Sequence, residues 1–178
     1  MKHYEFQKNF RQIYDKAVSL YAKGQRDAGT YFTDDEKKFL AANGITPQHI
    51  YDYAEDQNNG SEPGYDIALS IELIRRDYFL NEQHAKASST VLDESKLPPK
   101  TESVKGIEWL PRIIPKAKAK LRGELPASLM YSCGGDRRFF KTNDIEPAEF
   151  LAIVWRNLNN DAGIVDWVAK RKASLAAA

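Results

Sequence analysis

The chain has 178 residues, of which 42% are hydrophobic and 29% charged, a composition that fits a globular protein with a sizeable core and excludes wholesale disorder. Its single cysteine excludes an internal disulfide framework, no apolar run approaches the roughly 20 residues of a membrane span, and the N-terminus lacks the apolar core of a signal peptide. These features predict a soluble protein of the cytoplasm. The net charge of +1 divides into −3 over residues 1–90 and +4 over residues 91–178. The two copies could therefore attract each other, or the second could face an anionic partner, and so modest a difference also fits a solvated surface.

The first half of the chain reads as four helices. Residues 5–23 carry one apolar stripe at helical spacing: Phe6, Phe10, Ile13, Tyr14, Ala17, Leu20 and Tyr21. Thr33 and Glu36 stand at the spacing of a capping box, which opens a short helix through Ala42. Pro47 suits the first position of a third helix, because its missing N–H costs nothing there. A long fourth helix is predicted from Tyr65 to about Gln83, with its stripe at Ile67, Ile71, Ile74 and Tyr78.

The second half of the chain is predicted to form the same series of helices. Residues 10–47 align with residues 110–147 at a constant offset of one hundred, without a gap, and chance would give roughly two identities over such a span. Eight positions of the first copy are identical in the second: Ile13, Lys16, Ala17, Tyr31, Phe39, Asn43, Ile45 and Pro47. Asp136 or a neighbouring glycine opens the second copy's short helix, Pro147 its third, and a last helix runs from Ala162 to about Ala173.

The predicted fold is therefore all-α, a tandem duplication of a roughly four-helix unit with the two copies packed together. The predicted divisions are an N-terminal repeat over residues 1–83, a linker over residues 84–106 that lacks periodicity, and a C-terminal repeat over residues 107–178.

Residues of the second half carry a family resemblance. The order of its rarer residues is similar to that of a bacterial domain family of unknown function, numbered five thousand and sixty-nine, over about residues 97–170. The matching residues are Leu110, Pro111, Arg112, Ile114, Lys116, Ala119, Leu121, Gly123, Tyr131, Cys133, Asp136, Phe139, Phe140, Ile145, Trp167 and Val168. The chain departs from the family pattern at Pro115, Lys118, Gly134-Gly135 and Asp144. The resemblance implies no activity.

Cys133 is a candidate for chemistry, because it stands before two glycines at a predicted helix start, where backbone N–H groups favour an anion or a thiolate. Tyr131, Cys133 and Asp136 lie on the connector that leads into the second copy's short helix. Together they would form the site of a small enzyme or a small-anion-binding protein. The alternative is a buried or bystander thiol, which the aligned Thr33 of the first copy favours.

Lys16 and Lys116, with Tyr31 and Tyr131, are polar residues that both copies keep. Each Lys could stand beside its Tyr as an anion-binding or proton-transfer pair. The other interpretation is packing, with the Lys stem over apolar surface and the Tyr in the core.

The helix over residues 112–122 carries basic side chains with no acid between them: Arg112, Lys116, Lys118, Lys120 and Arg122. Such a stripe could contact nucleic-acid phosphates nonspecifically, or could be a solvated face. No cluster of histidines, cysteines or acids has metal-ligand spacing, and no cofactor motif is present in the sequence.

The sequence thus favours a noncatalytic helical binding or interaction module whose partner is an unknown protein or a small anionic ligand, with no cofactor and no membrane. A small enzyme that uses the connector remains the alternative, and nucleic-acid binding is a weaker one. Candidate site residues are Lys16, Tyr31, Arg112, Lys116, Tyr131, Cys133 and Asp136.

Overall fold

The computed structural model describes residues 3–177, and over that range the all-α prediction is confirmed. The helices are α1 (Phe6–Ala22), α2 (Asp34–Ala42), α3 (Pro47–Gly60), α4 (Tyr65–Asn81), α5 (Leu110–Arg122), α6 (Gly134–Thr142), α7 (Pro147–Arg156) and α8 (Asp161–Ala176). A small antiparallel hairpin of β1 (Ser103–Val104) and β2 (Ile107–Glu108) precedes α5. Within the described range no helix is both long and apolar enough to cross a membrane. The chain divides into two compact units, Met1–Lys86 and Ala87–Ala178.

In the N-terminal unit, α1 packs chiefly on α3. Its predicted stripe is buried except for Leu20, which is half-buried. The capping box at the start of α2 is confirmed, since the Thr33 hydroxyl accepts from the Glu36 amide at 3.3 Å and the Glu36 carboxylate accepts from the Thr33 amide at 2.7 Å.

The stripe predicted for α4 is partly wrong. Ile71 and Tyr78 are buried, but Ile67 and Ile74 are only half-buried, and three charged residues are buried instead: Glu72, Arg75 and Arg76. Polar groups on other helices make this burial possible. The Tyr53 hydroxyl donates to Glu72 Oε1 at 2.8 Å, and Arg76 Nε donates to Asn43 Oδ1 at 2.6 Å.

In the C-terminal unit, α5 packs chiefly on α7. It begins at Leu110 with Pro111 in its first turn, within one residue of the predicted start, and Pro115 lies inside it. It is buried on most of its circumference, at Leu110, Ile113, Ile114, Lys116, Ala117, Ala119, Lys120 and Leu121.

The two units share several internal features. Helices α2 and α6 are both nine residues long, and α3 and α7 begin at Pro47 and Pro147. In each unit an asparagine that ends the short helix donates its side-chain amide to a phenylalanine carbonyl, Asn43 to Phe39 at 2.7 Å and Asn143 to Phe139 at 2.8 Å. These correspondences favour the duplication, which stays a prediction.

Candidate functional site

The C-terminal unit contains a buried ion pair between α5 and α6. Lys116 Nζ donates to Asp136 Oδ2 at 2.6 Å, and the two side chains are 2% and 0% exposed. The Asp136 carboxylate also accepts from the Ser132 amide at 2.8 Å and from Trp109 Nε1 at 2.9 Å. Three donors therefore compensate the desolvation of one buried charge.

Cys133 belongs to the same cluster. It is the N-cap residue of α6, its thiol is free and half-buried, and Lys116 Nζ donates to its sulfur at 3.2 Å. The structure thus brings together three of the predicted site residues, Lys116, Cys133 and Asp136, which stand 20 residues apart at most in sequence.

Of the two interpretations of the retained lysines and tyrosines, the structure does not show the Lys–Tyr pair, and both tyrosines are buried. The Tyr131 hydroxyl donates to the Pro147 carbonyl at 2.9 Å, and burial, together with the negative charge of Asp136, raises the pKa of Tyr131 well above its ordinary value. In the N-terminal unit the Tyr31 hydroxyl donates to the Gln25 carbonyl at 2.7 Å. Lys16 instead pairs with Glu36 at 2.6 Å, which is the same spacing along the chain as Lys116 with Asp136.

Trp109, which the sequence interpretation missed, links this cluster to the surface. It precedes α5 with a left-handed backbone, φ 70° and ψ −24°, which bulky residues rarely adopt. Its indole ring lies so close to Gly135 that a Cβ atom there would come within 2.4 and 2.5 Å of two ring carbons. Gly135, in the first turn of α6, therefore makes room for the indole.

Beside Trp109 lies an open groove of about 520 Å³, here called the Trp109 groove. Ile107 and Phe139 provide apolar walls, and the charged side chains that line it are Lys100, Glu108, Arg138 and Lys172. The three cations are exposed, and Lys172 Nζ donates to the Gly106 carbonyl at 3.0 Å. The groove is thus cationic, with one carboxylate at its edge.

The basic side chains of α5 are largely engaged inside the unit. Arg112 donates to the Pro98 carbonyl at 2.9 Å, Lys118 pairs with Asp161, and Lys120 is only 3% exposed. This geometry does not favour the nucleic-acid interpretation of residues 112–122, which stays a prediction.

A signal for the ion pair was present in the sequence. The alignment at an offset of one hundred places lysine with lysine at positions 16 and 116, and acid with acid at positions 36 and 136. A retained lysine and a retained acid on neighbouring helices indicate a pair more directly than a lysine and a tyrosine do. The groove cations gave no such signal, because Lys100, Arg138 and Lys172 lie on separate segments.

The cluster offers a cation no multidentate site. Among residues 3–177 no group of three or more histidine, cysteine, aspartate or glutamate side chains could hold a metal ion.

Fold and site together define an all-α protein whose C-terminal unit holds a buried lysine–aspartate pair beside a cationic groove. Residues 96–177 match the model of the family described as "Domain of unknown function (DUF5069)". The resemblance stated from the sequence is thereby confirmed. Neither a search of curated proteins nor a search of solved structures gave a match.

Proposed function

We propose that the protein is a noncatalytic binding module whose C-terminal unit binds a small anionic ligand in the Trp109 groove. The observation that carries the proposal is the arrangement of three exposed cations, Lys100, Arg138 and Lys172, around one concave surface. Side chains from three separate segments converge there, whereas the basic residues of α5 are held by partners inside the unit.

The physical environment of the groove favours an anion. Apolar walls such as Ile107 and Phe139 lower the local dielectric constant and concentrate the field of nearby charges. Arg138 can form two parallel hydrogen bonds to a carboxylate or phosphate, while the lysines act as point charges. The volume of about 520 Å³ lies within the range of small-molecule sites. Glu108 would disfavour a ligand whose negative charge extends to its side of the groove.

The buried cluster supports a binding role rather than a catalytic one. Lys116 and Asp136 neutralise each other, and their side chains are at most 2% exposed, so neither is offered to a substrate. Their role in this proposal is to hold Trp109 and the start of α6 in place.

The proposal is tested by isothermal titration of the full chain with inorganic pyrophosphate at low salt. Arg138→Gln should weaken binding about tenfold, because it removes a charge-assisted hydrogen bond. Arg156→Gln is the matched control, since Arg156 is exposed on α7 and does not line the groove. Equal affinities of the two variants, or no binding by the natural sequence, would contradict the proposal.

A second candidate function rests on the contact of 3.2 Å between Lys116 Nζ and Cys133 Sγ. The Lys116 ammonium contacts the nucleophilic atom of Cys133 directly, so this connector could serve a small enzyme that forms a covalent intermediate. Alkylation by iodoacetamide would then be fast in the natural sequence and at least tenfold slower in Lys116→Met at pH 7. Equal rates in the two proteins would remove this candidate.

A further inference from the structure

The backbone of Trp109 is held in an unfavourable conformation beside the groove. Its φ of 70° is unfavourable for a non-glycine residue, and such residues persist only where the surrounding structure fixes them. They concentrate at ligand clamps and active sites. The position therefore points to a task for this side chain beyond filling space.

The indole ring of Trp109 is fixed from two sides. Its Nε1 donates to the buried Asp136 carboxylate at 2.9 Å, and the ring carbons of its six-membered ring lie against the Gly135 backbone. Lys116 Nζ in turn donates to Asp136 Oδ2 at 2.6 Å and holds that carboxylate in place. A half-buried aromatic ring that lines the groove is thus rigid before any ligand arrives, which lowers the entropic cost of binding against it.

Cations and an aromatic surface in one groove select a particular kind of anion. A compact inorganic ion would use Lys100, Arg138 and Lys172 but leave the indole and the apolar walls in contact with water. An anion that carries a planar ring can place its charge near the cations and its ring on Trp109. Stacking of this kind strengthens the binding of bases by proteins that bind single strands.

We infer that the Trp109 groove takes a mononucleotide-sized aromatic phosphate ester, with the phosphate near Arg138 and the lysines and the ring against Trp109. This inference rests on the proposed function, because it specifies the class of anion that the groove binds. The volume of about 520 Å³ accommodates one such molecule.

The test compares three probes on the full chain by isothermal titration: AMP, ribose 5-phosphate and adenosine. AMP should bind about tenfold more tightly than ribose 5-phosphate because only AMP can stack. AMP should also bind more tightly than adenosine, which lacks the anionic group. Trp109→Leu should abolish the advantage of AMP over ribose 5-phosphate, because the stacking surface is lost.

A second readout does not depend on that variant's stability. In protein labelled with ¹⁵N-tryptophan, the three tryptophans give three indole N–H signals, and Trp109→Phe identifies the signal of Trp109 by its loss. AMP should shift the Trp109 signal through the ring current of the stacked base, while ribose 5-phosphate leaves it nearly in place. Trp155 and Trp167 serve as internal controls in the same spectrum.

The outcomes separate the two proposals. Equal affinities for AMP and ribose 5-phosphate, with no shift of the Trp109 signal by AMP, would overturn this inference and leave the proposed anion site standing. No binding of either phosphate, or equal binding of AMP and adenosine, would overturn the proposed function and this inference with it.

Discussion

At the scale of single residues, the burial of a charged pair determines how much each partner matters. Removing one member of a buried pair leaves an uncompensated charge or orphaned donors, which typically costs about 3–5 kcal/mol. Lys116→Met should therefore lower the free energy of unfolding by about this amount. Asp136→Leu should cost at least as much, since Trp109 Nε1 and the Ser132 amide would lose their acceptor as well.

The N-terminal unit supplies the matched control for this prediction. Lys16 pairs with Glu36 at the same spacing, but the side chains are 35% and 28% exposed, so Lys16→Met should cost no more than about 1 kcal/mol. Urea unfolding followed by circular dichroism measures both variants. A cost for Lys116→Met no larger than that for Lys16→Met would show that the buried pair is not a structural anchor.

The charge of Glu36 gives a residue-scale prediction about pH. Partial burial works to raise the pKa of Glu36, but hydrogen bonds from Lys16 and from Thr33 together outweigh it and hold the pKa below its ordinary value. Because the folded-state pKa lies below the unfolded one, the stabilisation is present above the ordinary carboxyl pKa and is lost as the pH falls through the folded-state value.

Glu36→Gln isolates that charge, since glutamine can still complete the capping box. We expect the natural sequence to be more stable than Glu36→Gln by about 0.2–1 kcal/mol at pH 7. The difference should vanish at a pH below the folded-state pKa of Glu36. Denaturant titrations at a series of pH values measure it, and a difference that does not change with pH would refute the electrostatic explanation.

At the scale of elements, the two glycines that open α6 have different tasks. A Cβ atom at Gly135 would lie 2.4 Å from the Trp109 ring, whereas at Gly134 the nearest heavy atom is a flexible Arg137 nitrogen at 3.9 Å. Gly135→Ala should destabilise the protein by about 1–3 kcal/mol through overpacking. Gly134→Ala should be neutral or stabilise slightly, since the unfolded chain loses freedom.

The melting temperatures of Gly135→Ala and Gly134→Ala, compared with that of the natural sequence, test this prediction. Gly135→Ala should also weaken binding in the Trp109 groove, because the indole must move to admit the methyl group. If both glycines tolerate alanine equally, the close approach of Trp109 to α6 is not required for folding.

The helices also show which features the sequence could and could not predict. The α1 stripe and the Thr33 capping box depend on residues within a few positions of each other, so local pattern was sufficient. Helix α4 is apolar around much of its circumference, and its buried face is decided by distant partners such as Tyr53. The periodicity therefore identified Ile71 and Tyr78 correctly but missed the buried charged residues. Likewise Lys116, Cys133 and Asp136 were identified as candidates, but their pairing and the role of Trp109 arise from the packing of α5 against α6.

At the scale of the whole molecule, the segment from 87 to 106 belongs to the C-terminal unit by its contacts. Leu97 is 8% exposed, the Leu92 amide and the Ser88 hydroxyl both donate to Glu124 at 2.8 Å, and the Pro98 carbonyl accepts from Arg112. The sequence predicts a linker over residues 84–106, because the segment lacks periodicity and carries a pair of prolines. Contacts of this kind leave no periodic pattern, since each depends on a different partner.

Two fragments distinguish a structural segment from a linker. Fragment 87–178 contains the complete unit and should unfold cooperatively, whereas fragment 107–178 lacks the Leu97 packing and the hydrogen bonds to Glu124. Burial of one leucine contributes about 1.5–3 kcal/mol, and each lost hydrogen bond about 0.5–1.5 kcal/mol, so the shorter fragment should lose much of the marginal stability of a small domain. Urea titrations of both fragments should therefore give a clearly lower midpoint, or no cooperative transition, for fragment 107–178. Leu97→Ala in fragment 87–178 removes only the leucine packing, so its urea midpoint should lie between the midpoints of the two fragments. Equal midpoints for the two fragments would instead show that the segment acts as the linker that its composition indicates.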